Sequence, residues 1–130
     1  MDISRLLEEA QGAKAKAYAP YSGFHVGAAL LTGTNRVFTG CNIENASFGL
    51  TVCAERVAVY NAVSSGEKDF QALAVIGDGE DYCRPCGACR QVLAEFGGDI
   101  LIIMANKEKQ YEVKPIFELL PEGFNFNLKF

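Results

Sequence analysis

Three observations predict an α/β protein with a mixed sheet. Two short, continuous apolar runs, residues 72–76 and 100–104, suit strands that are covered on both faces. Between them, residues 89–96 carry helical spacing through Val92, Leu93 and Phe96 and stop at Gly97-Gly98. Strand, helix and strand make a parallel crossover, expected to be right-handed. Upstream, two further strand-like runs flank Gly33-Thr34-Asn35, whose turn chemistry joins them as an antiparallel hairpin.

The elements follow in order. Residues 2–18 read as an amphipathic helix, with Ile3, Leu6, Leu7, Ala10, Ala13 and Ala17 at three- and four-residue steps. Asp2 is the expected N-cap, and Pro20 ends the pattern. After a turn at Tyr21-Ser22-Gly23-Phe24, residues 25–31 and 36–42 form the hairpin strands. Residues 52–65 are apolar almost all round, which predicts a helix buried on most sides, with Gly66 just past its end. Tyr111-Glu112-Val113 reads as a last short strand, and residues 115–120 as a short helix opened by Pro115. Phe124, Phe126, Leu128 and Phe130 then alternate with polar residues. Such an apolar face needs cover, either from a neighbouring subunit or from the chain's own core.

At 130 residues the chain is expected to be one domain, residues 1–130. A net charge of −4 with no Lys/Arg run argues against nucleic acid as a partner. No apolar stretch approaches bilayer length and no signal peptide opens the chain, so no membrane partner and a cytoplasmic location are expected. Five cysteines in a reducing compartment favour metal binding over disulfides.

The chemistry concentrates in Cys53-Ala54-Glu55-Arg56 and Pro85-Cys86-Gly87-Ala88-Cys89-Arg90. Cys86-x-x-Cys89 is a spacing at which two thiolates share a metal. Both stretches fall at predicted helix starts, where the helix dipole favours thiolate over thiol. Cys53, Cys86 and Cys89 therefore make a zinc site, and three thiolates leave its fourth tetrahedral corner open, the mark of a catalytic zinc. Glu55 is the candidate general acid/base. Two residues on a helix turn about 200°, so Cys53 and Glu55 converge only if the tripeptide lies at the cap or in the first turn. The bland alternative is a helix-capping glutamate. Arg56 and Arg90 flank the ligands and are expected to donate to the sulfurs, draining negative charge.

Cys83 opens a rival arrangement, a closed four-cysteine structural zinc. Pro85 extends the intervening chain and is expected to carry Cys83 away. Cys41, on an apolar strand, reads as a buried small hydrophobe. His25 sits at a strand start far from both cysteine stretches.

Cys53-Ala54-Glu55 followed by Pro85-Cys86-Gly87-Ala88-Cys89-Arg90-Gln91-Val92 resembles the zinc nucleoside deaminases. Residues 21–30, YSGFHVGAAL, and 40–47, GCNIENAS, resemble the short-chain, homotetrameric cytidine deaminases within that class, and the similarity runs from about Leu6 to Phe124. The resemblance implies a three-layer α/β/α sandwich, a mixed five-stranded sheet with helices on both faces. It also implies zinc, one ion per subunit, on Cys53, Cys86 and Cys89, with Glu55 shuttling protons and Arg56 donating to the thiolates. Phe24, Asn42, Glu44, Ala54 and Phe124 would contact the substrate, with Asn42 and Glu44 on the ribose hydroxyls and Phe124 reaching a neighbouring subunit's pocket. The implied reaction is hydrolytic deamination of cytidine and 2′-deoxycytidine in pyrimidine salvage, by a hydrolase of cyclic amidine C–N bonds. The implied assembly is a homotetramer whose pockets neighbouring subunits complete. Cys83, Arg84 and Phe48 depart from the family pattern and bear on the pocket rim. Deamination of a cytosine-bearing antibiotic such as blasticidin S, editing of tRNA or single-stranded DNA, and a zinc-stabilised binding module without chemistry stay open at this level.

Overall fold

The computed structural model describes residues 1–125. Its elements are α1 (Ile3–Lys14), β1 (Val26–Thr32), β2 (Val37–Cys41), α2 (Ala54–Ser64), β3 (Phe70–Gly77), α3 (Gly87–Ala94), β4 (Leu101–Ala105), β5 (Tyr111–Pro115) and α4 (Ile116–Leu119), with a 3-10 turn at Phe48–Leu50. The five strands form one mixed sheet in the order β2-β1-β3-β4-β5. β3 and β4 pair in parallel across α3, and the other neighbours are antiparallel.

Strand alternation divides the core in two. On one face Leu6, Leu7 and Ala10 of α1 cover Ala29, Leu31, Ala72, Ala74, Ile76 and Ile103. On the other, Ala54, Ala58, Val59 and Ala62 of α2, Leu93 of α3 and Ile116 of α4 cover Ala28, Leu30, Leu73, Val75, Ile102 and Met104. Each fully buried leucine or isoleucine contributes about 1.5–3 kcal/mol. The result is the expected α/β/α sandwich. Two glycines let the helices approach. A Cβ on Gly27 would stand 2.0 Å from the Ala10 carbonyl oxygen of α1, and one on Gly40 would stand 2.5 Å from Ala54 O and from Ala58 N of α2.

Asp2 caps α1, its Oδ1 accepting from the Arg5 N–H at 3.1 Å. The helix ends at Lys14, four residues short of the predicted boundary. The Tyr18 backbone is engaged elsewhere: its N–H donates to Asn42 O at 3.0 Å and its carbonyl accepts from Glu44 N–H at 2.8 Å. Helix α2 differs from expectation too. Ala54, Glu55, Ala58, Val59 and Ala62 are buried, but Tyr60 is 51% exposed, so the helix buries one face rather than most of its circumference. Pro115 is the N-cap of α4, one position outside the helix. Cys41 is half-buried rather than buried. No helix among the described residues is long and apolar enough to cross a membrane. Phe126, Leu128 and Phe130 of the alternating tail lie outside the described residues.

Candidate metal centre

Cys53 is the N-cap of α2 and Cys86 the N-cap of α3, both with extended backbone; Cys89 lies in the first turn of α3. Neither cap makes the usual side-chain hydrogen bond to its helix. A cysteine at a position that Ser or Asp normally fills forgoes about 1 kcal/mol of capping. What it supplies instead is a thiol at the positive end of a helix dipole.

The three Sγ atoms lie within 4.8 Å of one another, and no fourth His, Cys, Asp or Glu joins the group among the described residues. Cys53 and Cys86 are 3.7 Å apart, and Cys86 and Cys89 are 3.5 Å apart. Three tetrahedral thiolates with Zn–S near 2.3 Å sit about 3.8 Å apart. The set fits one zinc ion, with three corners supplied by the chain. The neighbouring Cys89 thiol holds the Cys53 thiol below its usual range against burial, helped by Arg56, whose NH2 donates to Cys53 Sγ at 3.5 Å. The proximity of Cys53, together with burial, pushes the Cys89 thiol upward. The contact with Cys53 raises the Arg56 guanidinium, which stays charged.

Arg90 does not reach the sulfurs. Its Nε donates to Pro85 O at 2.7 Å and its NH1 to Leu119 O at 2.9 Å. Two carbonyls aligned with the guanidinium fork draw it away from the thiols. It thus ties the ligand loop to the end of α4.

Glu55 is the second residue of α2 and only 4% exposed. Burial raises its carboxyl to about 7, against weaker lowering by its own backbone N–H, and the Cys53 charge adds to the rise. It lines a cavity of about 250 Å³ together with Phe24, Asn42, Ala54, Cys53 and Cys86. The predicted first-turn placement is what brings Cys53 and Glu55 to the same side.

Cys83 is not a ligand, yet it lines this cavity. Its N–H donates to Ala105 O at 3.0 Å, which holds the loop beside the end of β4 and seats Cys83 on the cavity wall, outside the ligand group as expected. Burial pushes its thiol up to about 12, so it remains protonated. Arg84 lines the same cavity. Both stand at the pocket, where their departure from the family pattern bears on its rim; the contact that seats Cys83 there, with Ala105, is non-local and has no local sequence signal. His25 pairs with Asp78, Nδ1 to Oδ2 at 2.8 Å, and stands outside the cysteine group.

Asn42 holds the entry to β1. Its Oδ1 accepts from Val26 N–H and its Nδ2 donates to Phe24 O, both at 2.8 Å. An amide has two N–H groups and two carbonyl lone pairs, and these bonds use one of each. Glu44 lies in an adjoining cavity of about 350 Å³ with Tyr21, Ser22, Phe48 and Thr51; Thr51 lines both cavities. Its Oε1 accepts from Tyr21 and Ser22 N–H, and its Oε2 from the Ser22 hydroxyl at 2.5 Å. The Ser22 hydroxyl is the main reason its carboxyl falls below the usual range. Phe124 is away from both cavities, beside α3 and α4, with its carbonyl accepting from Gln91 Nε2 at 2.9 Å.

A buried carboxylate poised near neutrality, sharing a cavity with a three-thiol cluster on two helix starts, belongs to the zinc deaminase class. Comparison with known proteins narrows this. The family described as the cytidine and deoxycytidylate deaminase zinc-binding region matches residues 1–105. A cytidine deaminase of Sporosarcina psychrophila is 46% identical over 126 residues, covering 96% of this chain and 93% of the relative. One from Halalkalibacterium halodurans is 47% identical over 125 residues, 95% of each. The crystal structure of a cytidine deaminase from Burkholderia pseudomallei superposes with a TM-score of 0.92 at 46% identity, covering 95% of this chain and all of that one. The chain belongs to the cytidine deaminase family.

Proposed function

We propose that the protein catalyses hydrolytic deamination of cytidine and 2′-deoxycytidine to uridine and 2′-deoxyuridine, with release of ammonia, as a step of pyrimidine salvage. The observation that carries this reading is Glu55, a carboxylate 4% exposed and raised to about 7 in the cavity that Cys53 and Cys86 also line. A single group that must take up a proton and give it back works best with a pKa near the working pH.

Cys53, Cys86 and Cys89 hold the zinc, which when bound supplies the Lewis acidity that makes a water nucleophilic at neutral pH. Glu55 removes a proton from the attacking water and passes it to N3 as oxygen bonds to C4. C4 is then tetrahedral, carrying a hydroxyl and the amino group. Glu55 next moves the hydroxyl proton to the amino nitrogen. The C4–N bond breaks, C4=O forms and ammonia leaves. Water enters and ammonia departs, with no redox change. Arg56 offsets the thiolate charge through Cys53.

Two cavities of about 250 and 350 Å³ that share Thr51 support a divided nucleoside site. The base is read into the first, with Phe24 stacking on it and Ala54 on its edge. The ribose is read towards Asn42 and Glu44, each of which fixes the local backbone with part of its hydrogen-bonding capacity. Phe124, remote from its own chain's cavity, is read as serving a neighbouring subunit's pocket. A homotetramer is supported by the exposed apolar residues Tyr21, Phe48, Leu50 and Tyr60, which a monomer leaves wet. Residues 1–130 are read as one domain, and the free thiols suit the reducing cytoplasm.

The test is to mix zinc-loaded protein with cytidine and follow ultraviolet absorbance and ammonia together. Uridine and ammonia in a one-to-one ratio are expected, with 2′-deoxycytidine also consumed. Zinc-loaded protein that leaves both nucleosides intact contradicts the reading.

A further inference from the structure

We propose that Asp78 is a positioning residue for Phe24: its carboxylate clamps the start of β1 and thereby fixes the aromatic wall of the pocket. This rests on the reading of Phe24 as a substrate contact.

Asp78 follows the last residue of β3. Its Oδ2 accepts from both the backbone N–H and the ring Nδ1 of His25, each at 2.8 Å. Its Oδ1 meets Lys14 Nζ at 3.1 Å, and the Lys14 side chain is only 12% exposed. The end of α1, the start of β1 and the end of β3 therefore converge on one carboxylate.

The backbone N–H involved belongs to the peptide unit joining Phe24 to His25. The oxygen of the same unit accepts from Asn42 Nδ2 at 2.8 Å. A peptide unit is planar, so pinning both its ends fixes its orientation and the direction in which the Phe24 Cα is held. The Phe24 N–H donates to Ser22 Oγ at 3.0 Å on the other side. Gly77, immediately before Asp78, makes room for the ring: a Cβ there would lie 3.1 Å from Phe24 Cε1 and Cζ and 3.3 Å from Cys83 Sγ. One strand end thus anchors the backbone of Phe24 and accommodates its side chain. Burial opposes ionisation of Asp78, but the His25 N–H, the His25 ring and Lys14 outweigh it and hold the carboxyl at about 2. The clamp is therefore charged throughout the neutral range.

A stacking contact is made equally before and during the reaction, so loosening Phe24 raises KM and spares kcat. The test is steady-state kinetics with cytidine on zinc-loaded wild type, Phe24→Ala, Asp78→Ala, Asp78→Asn and the double variants. Asp78→Ala is expected to raise KM roughly tenfold with kcat within about twofold. Asp78→Asn keeps one acceptor for the His25 N–H and is expected to raise KM less. In the Phe24→Ala background, Asp78→Ala is expected to add nothing further to KM. Lys14→Met removes the other end of the clamp without touching the pocket. It should act in the same direction, more weakly, and it serves if Asp78→Ala folds poorly. Zinc content should stay at wild-type level in all of them. An unchanged KM in the Asp78 and Lys14 variants, or an equal rise in both backgrounds, overturns the clamp. A Phe24→Ala variant with wild-type KM overturns the reading of Phe24 itself.

Discussion

Gly40→Ala should damage the metal centre without touching a ligand. Gly40 sits on β2 opposite Ala28, beneath the first turn of α2. An added Cβ would stand 2.5 Å from Ala54 O, 2.5 Å from Ala58 N and 3.0 Å from Val57 Cβ. Those first two atoms are main chain, so no rotamer change relieves the clash. Ordinary contact needs about 3.5–4.0 Å, so the start of α2 must retreat by roughly 1 Å. Overpacking of this kind costs about 1–3 kcal/mol, and rigid neighbours place it at the upper end. Ala54 lies between Cys53 and Glu55, so both move with it. A misplacement of about 1 Å is worth roughly 10²-fold in rate. Gly27→Ala is the control. Its Cβ would stand 2.0 Å from Ala10 O and 2.5 Å from Lys14 N, a clash at least as severe, but against α1 on the opposite face. Urea unfolding, zinc retention against a competing chelator and kcat should be measured for both. Both variants should be destabilised, and only Gly40→Ala should lose zinc affinity and kcat. Equal zinc retention and equal kcat in the two would refute the claim that the Gly40 contact seats the site.

Serine substitutions should sort the cysteines: Cys53→Ser, Cys86→Ser and Cys89→Ser should each lose stoichiometric zinc on dialysis, whereas Cys83→Ser should retain one ion per chain. Stability should fall in acid partly through Asp78. Its carboxyl ordinarily titrates at 3.8 and sits at about 2 in the fold, so its contribution is complete above pH 4 and disappears as pH falls towards 2. The carboxylate is 35% exposed, so after solvent screening the contribution is about 1 kcal/mol. Asp78→Asn should therefore unfold earlier than wild type in urea at pH 6, with the gap closing near pH 2.

Much of the fold was legible because local signals and burial agreed. The runs at 72–76 and 100–104 became the parallel pair β3 and β4, and Asn35, at the predicted turn, takes a positive φ of 64°. The ligands were legible because helix-start chemistry is local: Cys53 and Cys86 are N-caps, and Glu55 shares the first turn with Cys53. What sequence could not give depends on contacts between distant segments. The end of α1 is set by Tyr18 pairing with the strand extension at residues 42–44, a backbone match with no side-chain signature. Arg90 looked like a thiolate partner from its neighbours, but Leu119, 29 residues on, supplies a carbonyl in its path. Cys83 stays out of the ligand group, as the extension at Pro85 implies, but its place on the cavity wall comes from the bond to Ala105, which no local pattern announces. The exposed side of α2 was hidden by apolar composition, since Tyr60 reads as core by hydropathy.

The buried carboxylate beside the thiols is the centre of the proposed chemistry, and Glu55→Gln tests it most directly. The amide keeps the shape of the side chain and removes its capacity to carry protons. Zinc content by metal analysis and cytidine turnover by absorbance should be read on the same sample. One zinc per chain with turnover reduced roughly 10²–10⁴-fold is the predicted result. A fully zinc-loaded variant that makes uridine at close to the wild-type rate would contradict the account.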